Sequence, residues 1–194
     1  MVEYEDKIML SYDEYLILME YVPNTADGNS VQSNYYYDTD DYKLDELGIT
    51  CRIREKNGKI TATIKDHSID SDGCSIEYSR DIASVNDTSL FEKMDVKFQG
   101  KLVTERNVFY SCNGCEAVID KNSYLGYCDY ELEIEYVPEQ EKQKNIILCA
   151  IANILCYNEE NNRLQEFINR KIHTKSKSAR FFAKLKSESG RMFK

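Results

Sequence analysis

Several stretches of this chain alternate charged and apolar residues one by one, and that pattern limits the fold more than any other feature. In an extended strand successive side chains point to opposite faces, so alternation sorts the two residue types onto two surfaces. In "VEYEDKI", residues 2 to 8, Glu3, Glu5 and Lys7 share one face, with Val2, Tyr4 and Ile8 on the other. "ITCRIREK" sets Arg52 and Arg54 against Ile49, Cys51 and Ile53, and "KITATIK" sets Lys59, Thr61, Thr63 and Lys65 against Ile60, Ala62 and Ile64. "YELEIEY" sets Glu131, Glu133 and Glu135 against Tyr130, Leu132, Ile134 and Tyr136, and "LVTERNVF" adds Arg106 beside Thr104.

An open sheet with its apolar side on a core and its charged side in water accounts for any one of these strands. It does not account for their segregation, with glutamates on the first and last strands and Arg or Lys on the middle ones. The arrangement that satisfies all of them is a mainly β, α+β fold: an eight-stranded antiparallel closed barrel with a polar interior and helices packed outside. Carboxylates on one side of such an interior and cations on the other suit a polyanion together with a divalent metal.

Strand candidates lie near residues 2 to 10, 33 to 38, 49 to 55, 59 to 66, 74 to 80, 101 to 110, 116 to 122 and 129 to 136. The Asn-Gly pairs of "KNGK" and "CNGC" predict two-residue hairpins, so antiparallel neighbours dominate. Ser11 with Glu14 predicts a capping box opening a helix through about Tyr21, and "NDTSLFEKM" predicts a second helix near residue 87. After Pro138 the apolar spacing becomes helical almost to the end.

With 194 residues, 42% hydrophobic and 30% charged, the chain is long enough for one sizeable core and short for two, so a single domain over 1–194 is expected. No apolar run approaches the roughly 20 residues that span a bilayer, and Glu3, Glu5 and Asp6 stand where a signal peptide would be basic and then apolar. A soluble, cytoplasmic protein with no membrane partner is therefore expected. A net charge of -9 argues against a nucleic-acid surface, although a local cationic cavity remains compatible with it. Seven cysteines fit reduced thiols better than a disulfide framework, and Cys112 and Cys115 sit across a turn without the second pair a structural zinc needs. His67 and His173 have no acidic or thiol partner at metal-ligand spacing.

Taken together, these residues resemble the CYTH family, also called triphosphate tunnel metalloenzymes, in its bacterial branch. "EYEDK" resembles the E-x-E-x-K signature, "NYYYDTDDYKLDELGITCRIR" the tyrosine-rich strand leading to paired arginines, and "GYCDYELEIEY" the closing strand of paired glutamates. "SKSARFF" resembles the segment that supplies a last basic residue. The resemblance implies a tunnel that binds a small triphosphate with Mg²⁺ or Mn²⁺. Glu3, Glu5, Asp120, Glu131 and Glu133 would face the metal; with Lys7 they would form the catalytic set. Lys7, Arg52, Arg54, Lys65, Arg106 and Lys177 would grip the phosphates, with Lys175 as an alternative to Lys177. Glu77 is a further inward candidate, Glu135 is expected at the rim, and Asp38 and Thr39 read as a strand-end turn.

The activity implied first is hydrolysis of inorganic tripolyphosphate to phosphate and pyrophosphate, by a monomer or homodimer. Thiamine triphosphatase and an adenylate cyclase of the same fold are the alternatives within the family. A polyphosphate or nucleotide sensor without turnover is the alternative outside enzymology.

Overall fold

The computed structural model describes residues 4–23, 29–66, 76–157 and 163–192. In chain order they form β1 (Tyr4–Leu10), α1 (Tyr12–Met19), β2 (Ser30–Asp38), α2 (Lys43–Glu46), β3 (Ile49–Lys56), β4 (Lys59–Asp66) and β5 (Ile76–Ile82). There follow β6 (Lys97–Cys112), β7 (Cys115–Tyr124), β8 (Tyr127–Tyr136), α3 (Glu141–Ile154), α4 (Arg163–Asn169) and α5 (Lys177–Met192). Each expected strand is present. The helix expected near residue 87 is a single 3-10 turn, Ser89–Phe91, which buries Phe91 and is soon followed by Asp95 at φ 47°. Glu3 and His67 lie outside the described residues.

The strands form one sheet in the order β1-β8-β7-β6-β2-β3-β4-β5. The β1/β8, β2/β3, β3/β4 and β4/β5 ladders are antiparallel. Asn57-Gly58 and Asn113-Gly114 both have positive φ at the two turn positions, as a tight hairpin between right-twisted strands requires. The order ends at β1 and β5, and no ladder joins these two strands among the described residues. The eight-stranded antiparallel sheet is as expected, and its expected closure into a barrel is not confirmed. β5 has the character of an edge strand: Glu77, Arg80 and Asp81 are exposed and charged, which discourages further pairing.

Two compact units make up the chain. The first comprises Met1–Ser30, Glu105–Asn122 and Cys128–Thr174. Its core joins the apolar faces of β1, β7 and β8 to α1, α3 and α4, through Ile8, Leu18, Ile119, Leu132, Ile151 and Phe167 among others. Because Ile8, Leu132 and Ile134 alternate with Lys7, Glu131 and Glu133, burying one face turns the charged face the other way. α1 opens on the expected capping box: Glu14 N–H donates to Ser11 Oγ at 3.2 Å and Ser11 N–H to Glu14 Oε2 at 2.6 Å. The same carboxylate is buried and accepts hydrogen bonds at Oε1 from Tyr157 Oη and Arg170 Nη1, each at 2.7 Å, so a capping residue also ties down the segments around α4.

The second unit comprises Val31–Thr104, Ser123–Tyr127 and Lys175–Lys194. On one side of its strands Tyr37, Cys51, Ile53, Ala62 and Phe91 cluster. On the other, α5 lays Phe181 and Phe182 against Tyr36, with ring centroids 4.9 and 5.9 Å away, and against Leu102 and Tyr124. Gly100 permits this approach, since a Cβ there would lie 2.7 Å from Phe181 Cζ. Asp38 closes β2 by accepting N–H bonds from Thr39, Leu44 and Asp45, so this buried carboxylate caps α2.

Burial pushes the Glu14 carboxyl up, but hydrogen bonds from Ser11, Tyr157 and Arg170 and the Arg170 charge outweigh it and leave Glu14 below the usual glutamate range. A lowered folded-state pKa stabilises the fold above the unfolded pKa, and that stability is lost as pH falls through the folded value. Glu14→Gln should therefore lower stability near neutral pH by about 1–3 kcal/mol. The difference from wild type should shrink as pH falls below the ordinary glutamate value of 4.5. Denaturant melts from pH 7 downward check both outcomes.

Candidate functional site

The first unit gathers acids. Antiparallel pairing sets Glu5 opposite Glu135, Lys7 opposite Glu133 and Met9 opposite Glu131. Lys7 Nζ donates to Glu133 Oε1 at 2.7 Å and also to Glu5. Arg106, from β6, makes a forked pair with Asp120 on β7, Nε to Oδ1 at 3.0 Å and Nη2 to Oδ2 at 2.8 Å. The same guanidinium donates to Glu133 and lies 3.8 Å from Glu135. Asn122 Nδ2 donates to Glu131 Oε1 at 3.3 Å and to Asp129 Oδ1 at 3.0 Å.

Asp120 and Glu131 are fully buried and Glu133 is 3% exposed. Carboxylate oxygens of Glu5, Glu133 and Glu135 lie within 4.8 Å of one another, as do those of Asp120, Glu131 and Glu133. The crowding registers in the acidities. Burial and then the charge of Glu133 raise the Glu5 carboxyl, which Lys7 only partly offsets. Burial and Glu133 also raise Glu135, against the pull of Arg106. Burial works against the Arg106 charge, but Asp120, Glu133 and Glu135 hold the guanidinium more firmly protonated than usual. Among the described residues, Glu5, Asp120, Glu131, Glu133 and Glu135 crowd together beside Lys7 and Arg106, and their donors are all hard oxygens, which suits a hard divalent cation and not a soft metal.

The second unit gathers cations. On β2, Gln32, Asn34 and Tyr36 alternate on one buried face. Arg54 lies opposite Asn34 and Thr61, Arg52 opposite Tyr36 and Thr63, and Lys65 opposite Thr50 and Glu77, so these residues share that face. Arg54 Nε donates to Asn34 Oδ1 at 2.9 Å. At the start of α5, Lys177 is 9% exposed whereas Lys175 is exposed, and Thr50 Oγ1 donates to Ser178 Oγ at 3.2 Å. Burial raises the Tyr36 phenol, and the charges of Arg52, Arg54, Lys177 and Arg180 oppose it, which gathers four cations around one ring.

The sequence-predicted residues thus fall into two sets. Glu5, Lys7, Arg106, Asp120, Glu131 and Glu133 come together in the first unit, and Arg52, Arg54, Lys65 and Lys177 in the second. Arg106, expected on phosphate, is engaged here with carboxylates. Glu77 is exposed and accepts from Ser79 Oγ at 2.9 Å. Sequence reasoning passed over Asn34, Asn122 and Arg180. The alternation of Gln32, Asn34 and Tyr36 marked the first, and the spacing of three from Lys177 on a helix marked the last.

The Bacillus subtilis (strain 168) protein named "Putative triphosphatase YjbK" is 26% identical over 197 residues, covering 93% of this chain and 94% of that protein. Among solved structures, a "putative adenylate cyclase" from Bacillus halodurans superposes with a TM-score of 0.68 at 22% identity, covering 93% of this chain and 97% of the other. The "putative adenylyl cyclase HpAC1" from Hippeastrum, described as having a dominant triphosphatase activity, gives 0.59 at 19% identity over 79% of this chain and 88% of its own. The sequence model of the CYTH domain matches residues 1–164, and the chain belongs to the CYTH domain family.

Proposed function

We propose that this protein is a divalent-metal-dependent hydrolase of a small triphosphate, with inorganic tripolyphosphate cleaved to phosphate and pyrophosphate as the first candidate. The observation that carries the reading is the gathering of carboxylates around Glu133 in two triads, each with oxygens within 4.8 Å of one another, of which Asp120, Glu131 and Glu133 are buried and Lys7 and Arg106 pair with Glu133. A protein that merely binds a polyanion needs cations; this cluster is built to hold a cation. The relative named as a triphosphatase supports the same reaction class.

A bound Mg²⁺ or Mn²⁺ would supply charge for the phosphate oxygens and a more acidic water. Glu5, Glu133 and Glu135, or Asp120, Glu131 and Glu133, would hold it, with Glu3 joining the set by its place in the E-x-E-x-K signature. Arg52, Arg54, Lys65 and Lys177 would receive the phosphate oxygens, Arg with a planar fork and Lys as a point charge. Lys7 and Arg106 would keep the acids apart and oriented. Phosphoryl transfer asks a protein chiefly for such positioning and charge stabilisation. The same grip would serve thiamine triphosphate or, with cyclisation, a nucleotide.

Glu5→Gln keeps the shape and removes the charge. It should weaken Mn²⁺ binding, read by calorimetry, at least about tenfold and turnover with it. A variant that binds Mn²⁺ as tightly as wild type would overturn the metal assignment. A panel of tripolyphosphate, thiamine triphosphate and ATP, scored for phosphate, pyrophosphate and cyclic nucleotide, selects the substrate.

Arg54→Lys keeps the charge and loses the fork. It should reduce kcat/KM for the accepted triphosphate by at least about tenfold, with melting temperature nearly unchanged. An unchanged kcat/KM would place Arg54 outside the phosphate grip.

A further inference from the structure

The amide of Asn34 is fully buried, and only one half of it is accounted for. Its Oδ1 accepts Arg54 Nε at 2.9 Å. Because an N–H can only donate, this bond fixes the amide orientation: turning it over would set NH₂ against N–H. The Nδ2 group is then buried without a hydrogen-bond partner among the described residues. Arg52, opposite Tyr36 on the same face of β2 and β3, has an Nε that is likewise buried and without a partner. Buried donors in native proteins are nearly always satisfied, so two in adjacent rows of one polar face call for an acceptor. Arg54 and Arg52, paired with Asn34 and Tyr36 on this face, and Lys177 and Arg180, whose charges also act on Tyr36, make that acceptor an anion.

We propose that Asn34 is a positioning residue for Arg54 and a direct donor to the bound anion, with Nδ2 taking an oxygen of the polyphosphate. This rests on the triphosphate reading. With Nε held by Asn34, the guanidinium plane is set, and the edge that Arg54 turns to a phosphate is Nη1–Nη2. A guanidinium held in advance loses less freedom on binding, so its forked contact is more favourable.

The test uses the full-length protein and tripolyphosphate as the probe, measured by calorimetry without divalent metal and by turnover with Mn²⁺. Asn34→Ala removes both the lock and the donor and should weaken tripolyphosphate binding about tenfold. In an Arg54→Lys background the same change should cost clearly less, because the Nε bond is already absent; such coupling is the mark of acting through a partner. Asn34→Asp keeps an acceptor for Arg54 but replaces the donor with a negative charge, and should weaken binding at least as much while the melting temperature holds. Should Asn34→Ala fold poorly, Asn34→Asp carries the test alone. Wild-type affinity in either folded variant, or additive losses with Arg54→Lys, overturns the proposal while leaving the triphosphate reading standing. A wild-type protein that neither binds nor cleaves tripolyphosphate overturns both.

Discussion

Arg106 reaches Asp120 with a fork and Glu133 with the same Nη2, while Lys7 takes the other oxygen of Glu133. These contacts let the buried carboxylates of β7 and β8, and the more exposed Glu5 of β1, stand within a few ångströms of each other. Without them, burial and mutual repulsion would drive the acids to take up protons, a tendency that Glu5 and Glu135 already display. Removing one partner of a buried ion pair leaves a charge without compensation, so the two cations hold the first unit's polar face in being.

The opposite side of the same strands explains why that face exists. Ile8, Leu132 and Ile134 are buried against α1, α3 and α4, and strand geometry then leaves Lys7, Glu131 and Glu133 no choice of direction. The helices hold the register by hydrophobic burial, and the Glu14 contacts to Tyr157 and Arg170 anchor α1 in place. The second unit follows the same logic with the sign reversed. Cys51, Ile53 and Ala62 are buried on one side, and Arg52, Arg54 and Lys65 share the other with Tyr36 and the first turn of α5. α5 differs from the other helices in packing on a polar strand face, which Phe181, Phe182 and Gly100 make possible.

Where sequence reasoning diverged from the structure, the causes are identifiable. The Tyr124 to Tyr127 turn falls in the gap expected between strands near 122 and 129, but it is tighter than expected and carries Leu125 at φ 47°, a conformation costly for leucine that its contact with the Phe181 cluster offsets. The short α2 is preceded by Tyr42 at φ 58° and depends on Asp38, a residue that looked like a simple turn. Closure of the sheet, inferred from face chemistry alone, is not confirmed. Alternation says which side of a strand is polar and nothing about whether the last strand meets the first, because closure depends on tilt and stagger across all the strands.

What the sequence determined by itself was the assignment of faces. A period of two along β1, β3, β4 and β8 sorts glutamates and arginines from isoleucines whatever the tertiary arrangement, and Asn-Gly at two hairpins sets which strands are neighbours. What only the tertiary structure decided was the pairing of particular charges. That Arg106 engages Asp120 and Glu133, that Lys177 is buried while Lys175 is exposed, and that Asn34 holds Arg54 all depend on side chains brought together from separate elements. Local periodicity fixes direction relative to a strand's own axis; distance between side chains far apart in sequence is set only when the whole chain packs.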